Sequence, residues 1–146
     1  MNQEVYAFIE QYIKYCQLVA DGRAFYPLLT KEDARLSGSD SFVDWENGKY
    51  QYGGYERGKC EINFESSKLN ECMYHAVYDA TWKLASEYEL AHRAKHQKLE
   101  TEYRESRIVS FKIWIRYMKR INAQWGDRLE SELTLIAHDD GFSLLD

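Results

Sequence analysis

The feature of the sequence that most constrains the fold is a change of hydrophobic period near residue 66. Between residues 42 and 65 the composition favours short strands, and Asn47-Gly48 is the strongest two-residue signal for a β-hairpin. Residues 60–65 then alternate between apolar and polar side chains, as a half-buried strand does. We therefore predict a small meander of three antiparallel strands at about 42–65.

The rest of the sequence has the period of an α-helix. Apolar side chains recur at helical spacing in four stretches, at residues 3–20, 66–92, 99–121 and 129–136. Thr30 and Asp33 resemble a capping box that opens a short helix. The predicted fold class is α+β and mostly helical, with an N-terminal helix, the meander, and three C-terminal helices packed together over about 66–138. No linker interrupts the composition, so we predict one domain over residues 1–146.

The stretch GGYERGKC at residues 53–60 differs by one residue from a phosphate-binding loop. Cys60 stands where such a loop has a Ser or Thr hydroxyl that binds Mg²⁺. The residues after Lys59 alternate as a strand, whereas a phosphate loop needs a helix N-terminus there to hold the phosphates. We interpret residues 56–59 as a hairpin turn with Gly58 at positive φ, and Gly53-Gly54 as a bulge.

Charge is distributed unevenly along a chain whose net charge is −5. Residues 31–66 carry a net charge of −3, residues 101–122 of +4, and residues 123–146 of −5. A net acidic protein repels nucleic acid, so we expect no general nucleic-acid binding. No apolar run is long enough to span a membrane, and the N-terminus lacks the pattern of a signal peptide. With three cysteines in no metal-binding pattern, the sequence predicts a cytoplasmic protein with reduced thiols.

Two histidine arrangements are candidates for chemistry. His92 and His96 have the spacing of zinc ligands on a metallopeptidase helix, but the residues between them include two bases and no glutamate. We expect no metal and no cofactor. His75 precedes Asp79 by one helical turn, so a small hydrolase with His75 as general base stays open as an alternative. A half-buried, hydrogen-bonded His75 is the interpretation that we favour.

A basic stripe with interleaved aromatic residues follows the helix predicted at 99–121. Its members are Arg104, Arg107, Lys112, Arg116, Lys119 and Arg120. The stripe makes a small RNA-binding module the alternative function. The acidic last helix lies next to it in the sequence, and we favour charge pairing between these two helices.

Several residues occur in an order that is typical of one family. They are Glu56-Arg57-Gly58, Ala85, Tyr88-Glu89, His92-Arg93, Arg107 and Trp125. With this order, over about residues 40–140, the chain resembles the immunity proteins of bacterial polymorphic toxin systems, specifically the group called immunity protein 63. The resemblance implies a cytoplasmic antitoxin without enzymatic activity. It would bind the C-terminal domain of a cognate toxin, often a nuclease, delivered by contact-dependent growth inhibition.

A basic nuclease as partner would be met by acidic and aromatic side chains. We expect the toxin-binding surface on the meander and the residues leading into it, namely Asp40, Asp44, Trp45, Glu46, Tyr50, Tyr52, Tyr55 and Glu56. The acidic last helix is the second choice, through Glu130, Glu132, Asp139 and Asp140. Because alternate residues of a strand face opposite sides, only some of these tyrosines lie outward. We expect no catalytic residue and no membrane contact.

Overall fold

The computed structural model describes residues 2–38, 40–93 and 100–144, and for residues 100–105 only the backbone is described. The elements in chain order are α1 (Gln3–Ala20), β1 (Leu28–Thr30), α2 (Lys31–Ser37), β2 (Ser41–Glu46), β3 (Lys49–Glu56), β4 (Lys59–Ser66), α3 (Leu69–His92), α4 (Glu100–Ile121) and α5 (Ala123–Asp139). They form two compact units, Met1–Ala80 and Thr81–Asp146, with the boundary inside α3. The mostly helical α+β class is confirmed, and the single-domain organisation stays a prediction.

The sheet has four strands, so the predicted three-stranded meander is incomplete. Strands β2, β3 and β4 pair antiparallel as expected, while β1 adds to the free side of β2 in parallel, giving the order β1-β2-β3-β4. Strand β1 has only three residues and leads directly into α2, where the Thr30 hydroxyl accepts a hydrogen bond from the Asp33 amide at 3.2 Å. A strand this short is too brief to show the alternation that identifies strands in a sequence.

Both hairpin turns have the conformation that their residues favour. Asn47 and Gly48 have φ of 54° and 74°, and Arg57 and Gly58 have φ of 52° and 77°. Positive φ at both central residues defines the two-residue turn whose twist matches that of the flanking strands. The predicted turn at residues 56–59 is therefore confirmed, and helix α3 begins only after the complete strand β4.

A bulge divides β4 into two halves. Tyr52 pairs with Phe64, but the next residue, Gly53, pairs with Ile62, so Asn63 has no partner on β3. The irregularity that Gly53-Gly54 predicted is thus present, and the extra residue lies on the opposite strand. Because of it, Ile62 and Phe64 fall on opposite sides of the sheet instead of on one side.

Most of the core of the first unit lies on one side of the sheet, although Phe42 is also buried on the other side, next to Lys31 of α2. The Phe8 and Tyr50 rings are 5.5 Å apart, and the Phe64 ring stacks on His75 at 3.8 Å. Tyr52 reaches the first half of α3, where its hydroxyl donates a 2.7 Å hydrogen bond to the Asp79 carboxylate. Helices α1 and α3 therefore contact the same side of the sheet.

The second unit is built on two tryptophans and a close helix pair. Trp114 is buried, its indole N–H donates to the Thr81 hydroxyl at 2.9 Å, and its ring lies 4.8 Å from that of Trp82. Only Asn122 separates α4 from α5, and its side chain caps α5 by accepting from the Trp125 amide at 3.1 Å. The interval between the helical stretches predicted at 99–121 and 129–136 is therefore mostly helical, because α5 already begins at Ala123. Gly126 allows close packing, since a Cβ there would lie 2.7 Å from the Lys119 Cα.

Replacing Tyr52 with phenylalanine should lower the free energy of unfolding by about 2 kcal/mol at pH 7, because a hydrogen bond to a buried carboxylate is lost. Burial raises the pKa of Asp79 from 3.8, and the Tyr52 hydrogen bond opposes that rise. In the variant the folded-state pKa of Asp79 should be higher still. The loss should therefore be small while Asp79 is protonated in both folded proteins, and it should grow as the pH rises through the folded-state pKa of Asp79, which lies above 3.8.

Urea unfolding followed by circular dichroism at several pH values measures this effect. Tyr6→Phe is the matched control, because Tyr6 is half exposed. An equal loss at pH 3 and pH 7 would contradict the role given to Asp79.

Candidate functional site

The strand register assigns the sheet residues to two faces. Directly opposed residues of antiparallel strands share a face, and neighbours along a strand alternate. The inner face, which contacts α1 and α3, contains Val43, Trp45, Tyr50, Tyr52 and Phe64. The outer face contains Phe42, Asp44, Glu46, Lys49, Gln51, Tyr55, Cys60, Ile62 and Glu65.

Three of the eight residues predicted on the meander belong to the inner face. Tyr50 and Tyr52 are only 8% and 5% exposed, and Trp45 packs against Tyr50 with ring centroids 4.4 Å apart. The expectation that Tyr50 and Tyr52 present their rings to a partner is corrected by this burial. Their side chains hold the helices to the sheet.

The other predicted meander residues lie on or beside the outer face. Asp44, Glu46 and Tyr55 belong to it directly. Asp40 precedes β2, and its carbonyl accepts a hydrogen bond from the Tyr55 amide at 3.3 Å. Glu56 is exposed at the β3–β4 turn. The structure thus brings about half of the predicted surface together.

The outer face carries mainly acidic side chains together with a few apolar ones. Its charged members are three acids and one base, namely Asp44, Glu46, Glu65 and Lys49. Ile62 is 46% exposed beside the free thiol of Cys60. Gln51 joins the surface by donating to the Glu65 carboxylate at 3.3 Å. Sequence analysis missed Gln51, Ile62 and Glu65. Ile62 was missed because strict alternation along β4 would place it on the same side as Phe64.

A cleft of about 490 Å³ continues the outer face towards the start of α2. It is lined by Asn2, Val5, Tyr6, Thr30, Lys31, Glu32, Arg35, Asp44 and Tyr55. Arg35 forms an ion pair with Glu32 at 2.6 Å, and the Lys31 ammonium lies 5.7 Å from the centre of the Phe42 ring. The cleft therefore places exposed aromatic and charged groups next to the acids of the sheet.

The second predicted surface, on α5, is largely paired within its own unit. Glu130 binds Lys119 at 2.6 Å, Asp140 binds Arg107 at 2.8 Å, and Glu132 binds Arg128 at 3.1 Å. Asp139 is exposed. Ion pairs join α4 to α5 and its C-cap, including a longer one from Lys119 to Asp127 at 3.9 Å, and they confirm the predicted charge pairing between these helices.

The same ion pairs involve residues of the basic stripe that made an RNA-binding module the alternative function. Arg107 is held by Asp140 and lies over the rings of Phe111 and Phe142, at 5.5 and 5.1 Å. Lys119 is held by Glu130, which raises its pKa. Lys112 and Arg116 are exposed, and the side chain of Arg104 lies outside the described residues. A stripe whose charge is partly neutralised gives a polyanion less attraction.

The structure also shows the surroundings of His75, the candidate general base. His75 stacks on Phe64, and its neighbour Asp79 accepts a hydrogen bond from Tyr52. The favoured half-buried His75 is confirmed. His96 lies outside the described residues. Within the described ranges, no three His, Cys, Asp or Glu side chains gather as metal ligands. Among the same residues, no helix has the length and apolar character needed to cross a membrane.

A cleft of about 350 Å³ in the second unit, lined by both polar and apolar side chains, was not predicted as a site. It is lined by Trp82, Ser86, Glu89, Leu90, Arg93, Ser106, Arg107, Ser110 and Phe111. Glu89 is 6% exposed and receives two hydrogen bonds from Arg93, at 2.6 and 3.0 Å, which lower its pKa. Three residues of the ordered set that carried the family resemblance, Glu89, Arg93 and Arg107, therefore line one cleft.

These features define an α+β protein with acidic side chains on the uncovered part of its outer sheet face and with ion pairs that join α4 to α5 and its C-cap. A family model described as Immunity protein 63 matches residues 46–134, more than half of the chain. The chain belongs to the Immunity protein 63 family, and the resemblance inferred from the sequence is confirmed.

Membership of this family makes the chain an immunity protein of a toxin system, with a toxin protein as the implied partner. Such proteins inhibit by binding, which confirms that the chain is not an enzyme. No curated protein and no solved structure matches the chain.

Proposed function

We propose that this immunity protein neutralises a cognate nuclease toxin in the cytoplasm by binding it through the outer face of the sheet. The toxin would be delivered by contact-dependent inhibition or another polymorphic toxin system. The observation that carries the proposal is the acidic outer face in a chain of the Immunity protein 63 family. A nuclease surface that binds phosphates is basic, so acidic side chains on this face are complementary to it.

The outer face has the composition of an inhibitory interface. A dissociation constant near 1 nM corresponds to about 12 kcal/mol of binding free energy. Complexes of this kind bury roughly 800 Å² on each partner, with a few anchor residues inside a polar rim. Tyr55 and Ile62 supply apolar anchors, and Asp44, Glu46 and Glu65 supply a charged surround.

Reversing two charges of the outer face tests this assignment. The double variant Asp44→Lys, Glu46→Lys should lower the association rate constant for the toxin domain about tenfold at low salt, because steering depends on complementary charge. The difference from wild type should shrink in high salt, where charges are screened. Stopped-flow mixing over a salt series measures both quantities.

The control is Glu10→Lys, on an exposed position of α1. Helix α1 contacts the inner face through Phe8, so this change alters the net charge away from the outer face. Because the control reverses one charge and the double variant two, a loss in the control of half as many logarithmic units would mean that net charge matters and not the outer face.

The biological function is tested separately from the surface. The C-terminal domain of the secreted protein encoded by the adjacent gene should co-purify with the chain, and co-expression should restore growth to cells that make this domain. A chain that binds the domain but leaves its nuclease activity intact would overturn the proposal.

A further inference from the structure

Strand β4 is an exposed edge of the sheet. It is the last strand in the order β1-β2-β3-β4, and no further strand pairs with it among the described residues. Six of its eight residues are exposed, including Ile62. A free edge presents unpaired backbone amides and carbonyls, which ordinarily invite another strand to pair.

The backbone groups that face this edge follow from the pairing. The Tyr55 amide donates to the Asp40 carbonyl, so Tyr55 directs its backbone groups away from β4. Neighbours alternate, hence Gly54 and Glu56 face β4 and bond to their partners Glu61 and Lys59. Cys60 lies between Lys59 and Glu61, and Ile62 follows Glu61. Both residues therefore direct their N–H and C=O groups away from β3, towards the free edge. Beyond the bulge, Phe64 and Ser66 pair with β3, and Glu65 faces outward.

We propose that the toxin adds an extended, basic segment to β4 as a fifth strand of the sheet. This inference rests on the proposed function and specifies how the toxin is held. Backbone hydrogen bonds to Cys60 and Ile62 would supply affinity, and their side chains on the outer face would supply specificity. The exposed acids of β4 itself, Glu61 and Glu65, favour lysine or arginine in the added strand, because they lie on the strand that it would pair with.

A second copy of this chain fits the edge less well than a basic strand. The outward groups are spaced by two residues from Cys60 to Ile62 and by three from Ile62 to Glu65, because of the bulge at Asn63. An antiparallel copy carrying the same bulge meets an interrupted ladder, which is how natural edges avoid self-pairing. It would also bring together two acidic outer faces.

Cys60 is a natural probe of this edge in the unmodified protein. Cys16 and Cys72 are buried, and burial raises the pKa of each to about 12, so neither forms the reactive thiolate at pH 8. Alkylation by N-ethylmaleimide therefore reports on Cys60. Adding the catalytically inactivated toxin domain should slow this alkylation at least tenfold.

Proline substitution tests the backbone contact directly. Ile62→Pro removes an amide that faces solvent and not β3, a position where strands tolerate proline. It should weaken binding of the toxin domain at least tenfold in calorimetry. Ile62→Ala is the matched control, since it removes the same side chain and keeps the amide. Circular dichroism and urea unfolding check that each variant is folded. If Ile62→Pro does not fold, the alkylation of Cys60 in the wild type still tests the proposal.

The outcomes separate this inference from the function on which it rests. Wild-type binding with unchanged Cys60 alkylation, or equal binding by the proline and alanine variants, overturns strand addition and leaves the immunity function standing. Protection of Cys60 in a dimer formed without toxin also overturns it. A toxin domain that does not bind the wild type removes the proposed function itself.

Discussion

The variant Gly53→Ala is expected to lose about 3 kcal/mol of unfolding free energy, because an added Cβ has no space between two strands. A Cβ at Gly53 would overlap the carbonyl oxygen of Glu61 and lie 3.0 Å from the Ile62 Cα. These atoms are backbone and belong to the paired strand, so relief requires that β3 and β4 move apart. Urea unfolding followed by circular dichroism measures the loss.

The neighbouring glycine is the control for this prediction. At Gly54 the nearest atom to an added Cβ is the Asp40 carbonyl oxygen at 3.7 Å, an ordinary contact. Gly54→Ala should therefore change the unfolding free energy by less than about 1 kcal/mol. Similar losses in the two variants would show that close strand approach is not the reason for glycine at position 53.

Truncating Trp114 to alanine should cost about 4 kcal/mol of unfolding free energy, the loss typical of a large aromatic side chain removed from a core. Trp114 is 4% exposed and packs between the rings of Trp82 and Phe111, at 4.8 and 6.3 Å. Its removal also takes away the indole donor to the Thr81 hydroxyl, which is itself buried. Thermal and urea unfolding give the loss, and each variant must be compared at the same protein concentration.

Trp82 offers a matched control on the same aromatic cluster. Its ring contacts Trp114 but is 38% exposed, so Trp82→Ala should cost no more than about 2 kcal/mol. If the two truncations were equally destabilising, the core of the second unit would not be centred on Trp114.

Sequence analysis located most elements because their signals are local. Asn47-Gly48 and Arg57-Gly58 occupy the conformations that two-residue turns require, and Thr30 and Asn122 cap α2 and α5 through their own side chains. Such features depend on residues a few positions apart. The family resemblance added the class of function, which no local signal contained.

Which residues lie on each side of the sheet could not be predicted in the same way. Tyr50 and Tyr52 share a side by alternation, but the adjacent Phe42 and Val43 are both apolar and both fully buried, on opposite sides of β2. Alternation in β2 therefore does not identify the side that carries the main core. The bulge at Asn63 then separates Ile62 from Phe64 against the alternation of the sequence. Strand β1 depends on a parallel pairing across α2. Each of these choices is decided by long-range packing, and the toxin-binding residues stay a prediction.

The division of the chain into two units has a consequence for the distribution of its net charge. Met1–Ala80 contains thirteen acidic and eight basic residues, whereas Thr81–Asp146 contains eleven of each. The whole net charge of −5 therefore resides on the first unit. A cationic protein within a Debye length, about 8 Å at physiological salt, is attracted electrostatically to that unit. Its approach is thereby oriented before any side chains touch.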